Sequence, residues 1–572
     1  MKRIIFLIIC TLLVLGLVLP GCGGTPALPR SRPLVAGQIS IAVTGPMSDV
    51  QGLNHWQGAI QAATAINASG GITLNATPQY VKLVKVDTNE VLGLPVEGVT
   101  ARSAVIDSVD FVVGGFRTES VSAYRTVAMD EKVIMMNCGA ATLRLQKSVN
   151  ENYNKYKYWF KATPYNEIFL VTSCFKLTAS SVGAYVATLG TLLATGNWTF
   201  NDLGYAFNPA PPNVVLKVAI VAESLEWCAS MITAAQAKLP TLLTKKGINM
   251  TLVGTWKWSD KATTTDIQAD MAAIKAAKPH VIFTIFSGPV GKSFSKVRYD
   301  TNMTSLCVGI NVEGQQQGMV TYTGGGCQYD IMLDTWGWGV NQSSMTGQFF
   351  SDYWAAKSDY PLYTAATFDA IYSLKASVEA TNSCDPDVMV PNMEESALEG
   401  AGTPLTKLYP SGAVTVAPGI WALNSTQVLA KYPFLSNFTV PGPLSGTGYG
   451  SFCATDIQAW NWTATAWTTS GGFCAHDTVY GPGLQTGVGT QWQNVTGTLR
   501  KAGWWPCILD PALPSGGNGT NPNAVIAALP ASTQAYLYWI GVIDNYGYWN
   551  FKYPGTVSVQ IPYLWWLNYI GP

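Results

Sequence analysis

The chain has 572 residues, with 34 Lys+Arg against 34 Asp+Glu, three His and eleven Cys. That length suits three or four domains of roughly 150 residues each. Balanced charge without a long basic run argues against a nucleic-acid partner, three His leave little for a His-based metal site or catalytic base, and 20 Trp, 26 Tyr and 19 Phe exclude a disordered chain.

Residues 1–22, MKRIIFLIICTLLVLGLVLPGC, open with Lys2 and Arg3 and continue as an apolar stretch from Ile4 to Leu19, the pattern of a signal peptide. The end, Leu19-Pro20-Gly21-Cys22, resembles a lipobox, in which Cys22 is lipidated; the other reading is an uncleaved single-span anchor. Both place the remainder outside the cell on a membrane tether. Residues 23–35 have the Gly/Pro/Ser content of a linker. No later apolar run reaches about 18 residues.

Strand expectations then alternate with helix expectations. Residues 38–44 read as a strand and 54–68 as a helix, with Trp56, Ala59, Ile60, Ala63 and Ile66 on one stripe and Gly70-Gly71 as its stop. Tyr80–Val86 is a strand, 96–108 a helix, Val109–Val113 a strand, 118–130 a helix and Val133–Met136 a strand. The pattern restarts with a helical stretch over 168–195. Strands at Val214–Val221, Leu252–Trp256, His280–Phe286 and Leu306–Ile310 follow, separated by helices over 225–245, 264–277 and 290–299. Helices over 344–357 and 363–381 come next. Such alternation implies parallel sheets covered on both faces. From about residue 383 Pro, Gly, Thr and Trp dominate. Residues 455–468 read there as a strand or hairpin, 511–523 as a loop and 534–572 as irregular β structure.

Charged residues are only 12% of the chain, about half the share near 25% of ordinary soluble domains. Eleven Asn-x-Ser/Thr sequons offer glycan as the missing surface cover: Asn67, Asn75, Asn197, Asn249, Asn302, Asn341, Asn424, Asn437, Asn461, Asn494 and Asn518. An exterior location also makes disulfides the expectation for the nine Cys beyond residue 22, with Cys453 and Cys474 the best local pair and at least one thiol left over. No Cys-x-x-Cys, His-Glu-x-x-His or Gly-x-Ser-x-Gly occurs, so no metal, no cofactor and no enzymatic nucleophile is expected. Gly288-Pro-Val-Gly-Lys292-Ser293 falls short of a phosphate loop because Phe286 stands where its first Gly is required.

Several segments together resemble the type I periplasmic solute-binding proteins, more narrowly the branched-chain amino acid and amide-binding lipoproteins of ABC importers. They are Ile41-Ala-Val-Thr-Gly45-Pro46, Ile66-Asn67-Ala-Ser-Gly70-Gly71-Ile72, Asp110-Phe-Val-Val-Gly114-Gly115, Trp159-Phe-Lys-Ala-Thr-Pro164, Lys217-Val-Ala-Ile-Val, Lys278-Pro-His-Val-Ile282 and Asn311-Val-Glu-Gly314. The resemblance covers about residues 36–382. It implies an α/β fold of two doubly wound parallel-sheet lobes joined by a hinge, with 383–572 as a β or irregular extension that includes a possible return to the second lobe. The division it implies is 36–145 as the first part of lobe 1, 146–311 as lobe 2 and 312–382 as the return to lobe 1.

The same resemblance implies a small-molecule solute held in the interlobe cleft, ABC permease subunits as partners and no catalysis. A ligand-sensing ectodomain without a permease and a structural envelope glycoprotein are the competing readings. Candidate ligand-binding residues are Thr118, Glu119 and Ser120, where a loop opens a helix whose free N–H groups and positive end suit an anion, and Gly139, Ala140, Ala141 and Thr142 in the next loop. Tyr165 and Asn166 after the crossover, Trp227 as a lid, Ser287, and Glu313 as an ammonium partner complete the set. One departure stands out. Ser287-Gly-Pro-Val290 carries no acid where the family's amino-acid binders hold the α-ammonium, which leaves amides, carboxylates and small peptides open.

Overall fold

The computed structural model describes residues 35–90, 105–106, 108–162, 170, 174–175, 177–178, 181–182, 215–245, 249–303, 305–338 and 346–395, with shorter stretches at 414–415, 462–463, 466–467, 476, 478–479, 488–495 and 498–505. Most of the helices expected over 96–108 and 168–195, the loop at 511–523 and the segment 534–572 lie outside the described residues, as do the N-terminal 22 residues with Cys22.

Gln38–Gly45 forms β1, and all but its first residue is buried, as a central parallel strand covered on both faces requires. Helix α1 (Val50–Ala68) follows, then β2 (Ile72–Leu74), β3 (Thr77–Asp87), β4 (Phe111–Gly114), α2 (Thr118–Asp130), β5 (Ile134–Asn137), α3 (Leu143–Glu151), α4 (Tyr153–Tyr156) and β6 (Trp159–Lys161). The first sheet is ordered β2-β3-β1-β4-β5-β6. Its pairs are parallel except β2 with β3.

The second sheet starts at β7 (Val215–Glu223) and continues through α5 (Glu226–Lys245), β8 (Asn249–Trp258), α6 (Thr264–Ala277), β9 (Val281–Phe286), α7 (Pro289–Asp300), β10 (Leu306–Asn311), α8 (Gly318–Thr323) and β11 (Ile331–Asp334). Every residue of β9 and β10 is buried. Helix α6 is set locally. Thr263 and Asp266 form a reciprocal capping box, and Lys278 turns left-handed (φ 48°) just before Pro279. Helices α9 (Thr346–Lys357), α10 (Thr367–Thr381) and α11 (Pro386–Glu395) come next. A hairpin of β12 (Val488–Val495) and β13 (Thr498–Trp505) then pairs antiparallel with β11, giving the order β13-β12-β11-β10-β9-β7-β8.

Within each sheet the chain order 2-1-3-4-5 recurs: β3-β1-β4-β5-β6 and β8-β7-β9-β10-β11. The order reverses between β1 and β4 and between β7 and β9, so each lobe has one topological switch point. Separate cores lie beneath them. One gathers Ile41, Val112, Met135, Trp159, Phe349, Phe368 and Ile371; the other gathers Val221, Trp258, Ile282, Phe286 and Phe294. At about 1.5–3 kcal/mol for each large apolar side chain removed from water, either core offsets much of the ordering cost of its own lobe.

Three expectations change. Residues 146–161, counted with lobe 2, lead into and form the β6 edge of the first sheet, because Trp159, Phe160 and Lys161 pair with Met135, Met136 and Asn137. The stretch 312–382 is split. Its helices α9 and α10 join the first core, while Ile331–Asp334 pairs with β10 in the second sheet. The third concerns cysteine. Cys138, Cys174, Cys228, Cys307, Cys327 and Cys384 are free thiols, the first five buried. They are dispersed through different packing layers, with Cys138 and Cys307 in opposite cores and Cys327 packed beside Trp492. Cys453 and Cys474 lie outside the described residues. Among the sequons, Asn67 is committed to the fold, since its amide bonds both backbone groups of Val81. Asn75, Asn249 and Asn302 are exposed.

Candidate functional site

Loops leaving the carboxyl ends of both sheets meet each other. After β1 the chain turns at once into α1, which begins at Val50, four residues earlier than the apolar stripe suggests. The extra turn carries Gln51 to the second lobe, where its Nε2 donates to the Ser287 carbonyl (2.7 Å) and to Glu313 Oε1 (3.1 Å). From the loop after β4, Arg117 Nη1 donates to Asp260 Oδ2 at 2.8 Å, beyond the end of β8. Towards the rim Arg144 pairs with Glu226 (2.9 Å), and the Glu226 amide donates to Glu119 Oε1 (3.4 Å). Gln51, Arg117, Asp260, Ser287 and Glu313 thus follow β1, β4, β8, β9 and β10 and line one interlobe cleft.

The α2 loop is not the open anion cradle its sequence suggests. The carboxylate of Glu90, just past β3, accepts from the Phe116 amide (3.1 Å) and from the Arg117 amide, and Thr88 Oγ1 donates to its other oxygen (2.7 Å). Two N–H groups expected to face a ligand are therefore taken by the chain itself. Thr118 and Thr142 approach each other instead, hydroxyl to hydroxyl at 2.5 Å, which joins the two predicted contact loops. Ser120 is buried in the first turn of α2.

Asn137 braces the second loop from inside. Its Oδ1 accepts from the amides of Gly139 (3.4 Å) and Ala140 (3.1 Å), and its Nδ2 donates to the Ala140 carbonyl (2.7 Å). Gly139 is required by this contact between loops: a Cβ there would stand 2.2 Å from the Gly115 carbonyl oxygen. Ala141 is half-buried, and Tyr363 O–H reaches the Gly139 carbonyl at 3.5 Å.

On the opposing lobe, Glu223 at the end of β7 has no exposure. It accepts from the Ser287 amide (3.0 Å), Ser287 Oγ (2.7 Å) and the Gly288 amide (2.7 Å). An acid therefore does reach the loop after β9, supplied by the neighbouring strand. Burial raises the Glu223 pKa, opposed by the Ser287 bonds and the Arg117 charge. Glu313 is likewise raised by burial, opposed by bonds from Gln316 and Gln51. Both of its oxygens are engaged by side-chain amides, so the expected ammonium partner is already occupied by Gln51 and Gln316. Asp49 is raised by burial too, with Ser48 and then the Arg117 charge pulling it down. Trp227 is half-buried in the first turn of α5, its carbonyl accepting from Ser230 Oγ. Tyr165 and Asn166 lie outside the described residues.

The structure thus brings Thr118, Gly139, Thr142, Ser287 and Glu313 to the cleft loops. Sequence reasoning passed over Gln51, Glu90, Arg117 and Asp260 as ligand-site residues. Each stands within a few positions of a strand's carboxyl end, and that placement was the signal available. Among the described residues no group of three or more His, Cys, Asp or Glu could hold a metal ion. No helix among them is long and apolar enough to cross a membrane.

No family model matches the chain, and no curated protein does. Solved structures similar to it are solute-binding proteins of ABC transporters. One from Rhodopseudomonas palustris in complex with benzoate is 14% identical, with a TM-score of 0.46, covering 62% of this chain and 84% of its own. The branched-chain amino acid binding protein of Streptococcus pneumoniae in complex with isoleucine is 15% identical, with a TM-score of 0.47, covering 65% and 90%. A leucine-binding protein of Thermotoga maritima is 15% identical, with a TM-score of 0.44, covering 62% and 86%.

Proposed function

We propose that this chain is an extracytoplasmic solute-binding protein of an ABC importer, tethered through its N-terminal segment. It captures a small organic solute between the lobes without chemical change and presents the closed form to the permease. The observation that carries this reading is the meeting of Gln51 and Arg117 with Ser287, Glu313 and Asp260 across the cleft. These residues stand at the carboxyl ends of strands beside both switch points, where open α/β sheets bind ligands. A solute bridging the two loop sets favours the closed arrangement by its differential affinity for it.

The test is mass spectrometry of natively purified protein for a co-purified solute. Thermal unfolding against amino acids, amides, aromatic carboxylates and short peptides then follows, with scattering to read closure. A retained solute that raises the unfolding midpoint and shrinks the radius of gyration is expected. Absence of any ligand-dependent stabilisation across these classes would defeat the proposal.

A further inference from the structure

Arg117 is only 8% exposed, and Nη1 spends its bond on Asp260. Its Nε and Nη2 have no hydrogen-bond partner among the described residues. These two groups form the side-on edge of the guanidinium, a planar pair of donors pointing one way. Gln51, with no exposure, has an amide orientation fixed by the two acceptors on its Nε2. Its Oε1 is also without a partner among the described residues. Buried polar atoms left unpaired are costly, and here two donors and one acceptor belong to two buried side chains that cross from lobe 1 to lobe 2.

The charges around them narrow what can answer. Arg117 is already paired with Asp260, and it also acts on Asp49 and Glu223. A carboxylate ligand would add one more anion to a cleft that holds Asp49, Glu223, Asp260 and Glu313. An ammonium finds Glu223 filled by three donors and Glu313 by two amides. What fits is a neutral group with an acceptor oxygen and an N–H donor.

We propose that the cleft selects a neutral primary carboxamide, whose carbonyl oxygen accepts from the Nε/Nη2 edge of Arg117 and whose NH2 donates to Gln51 Oε1. This deepens the solute-binding reading and rests on it.

The full chain is titrated calorimetrically with matched trios: isovaleramide, isovalerate and valine; phenylacetamide, phenylacetate and phenylglycine. The amide of at least one trio should bind at least about tenfold more tightly than its acid and amino-acid counterparts, the scale of one or two well-made hydrogen bonds. Arg117→Lys keeps the charge facing Asp260 but loses the planar fork, and Gln51→Ala removes the acceptor. Each should weaken the amide by about tenfold or more, with the unliganded unfolding midpoint read alongside to separate binding from folding. Should the lysine variant fail to fold, the alanine variant carries the comparison. Tighter binding of an acid or amino acid, or unchanged amide affinity in the variants, overturns the carboxamide assignment and leaves the binding-protein reading intact. Failure of every solute, including any found by mass spectrometry, overturns both.

Discussion

Lys501 and Asp334 form an ion pair in which neither side chain has any exposure to solvent. The pair fastens the C-terminal hairpin to β11. Asp334 Oδ1 also accepts from the amides of Thr335 (2.6 Å) and Trp336 (3.4 Å), and the ammonium lies over the Tyr360 ring. Burial raises Asp334 and lowers Lys501, and in each case the partner's charge pulls the other way. Removing one member strands a buried charge, which costs about 3–5 kcal/mol. Lys501→Met is expected to lose that much in urea unfolding. Lys501→Met with Asp334→Asn should recover most of it, since Asn keeps the two amide bonds without the charge. A single variant within 1 kcal/mol of wild type, on the scale of a surface pair, would show the pair to be unimportant.

Gly58 sits in the middle of α1, where intrinsic propensity favours Ala by about 1 kcal/mol. The short 3₁₀ turn at Tyr363–Ala366 crosses directly over it, so a Cβ would stand 2.3 Å from the Ala365 carbonyl oxygen and 2.6 Å from Thr367 Oγ1. Overpacking of that kind costs about 1–3 kcal/mol and outweighs the propensity gain. Gly58→Ala is therefore expected to lower the unfolding midpoint; a rise would mean that the turn yields freely.

Glu90 holds the Phe116 and Arg117 amides. Glu90→Ala leaves both donors without that acceptor, at about 2–4 kcal/mol for the pair, while Glu90→Gln keeps an accepting oxygen and should lose less than half as much. Denaturant titration of the two variants decides this. Equal losses would place the effect in side-chain volume instead of the hydrogen bonds.

Two histidines predict the acid limb of stability. Burial pushes His55 down to about 4 against hydrogen bonds with Thr364 and Gly115. Burial, aided by the Lys217 charge, takes His280 to about 4 as well. In the unfolded chain each titrates near pH 6.5. Between pH 6.5 and 4 the unfolded state therefore binds protons that the folded state refuses, and stability falls as pH falls through that window. His280→Asn retains an acceptor for the Lys217 amide, which His280 Nδ1 holds at 2.9 Å. It should flatten the slope there by up to about 1.4 kcal/mol per pH unit, read as urea midpoints at several pH values. An unchanged slope would assign the acid sensitivity elsewhere.

The parallel core was legible because β9 and β10 are mostly apolar, β1 alternates Ile39, Ile41 and Val43 with smaller residues, and all three are buried along nearly their whole length. Helix α6 carried its own caps. β6 and β11 were not read as strands; with three and four residues they are defined by pairing with β5 and β10. β12 hides differently. It buries Thr490, Gln491 and Gln493 beside Trp492, a polar run without apolar alternation. The site divides along the same line. Thr118, Thr142, Ser287 and Glu313 follow strands that could be read, so their loops could be read too. Gln51 and Glu90 act through partners more than 200 and about 26 positions away, and no local pattern announces such reach.

The Lys501–Asp334 pair also joins positions 167 apart in sequence, which bears on the order of assembly. By residue 395 all six strands of the first sheet are present, and its β6 edge awaits only His476, whose carbonyl accepts from the Lys161 amide and whose ring stacks on Phe160. β11 still lacks its neighbour, and its open edge is free to pair with another chain. Vectorial synthesis would therefore assemble the strands of the first sheet early and leave the edge of the second exposed until the last strands emerge. Proteolytic loss of the tail would take two strands and the Lys501 charge from the lobe that begins at β7, and from the one that begins at β1 the His476 that covers its β6 edge.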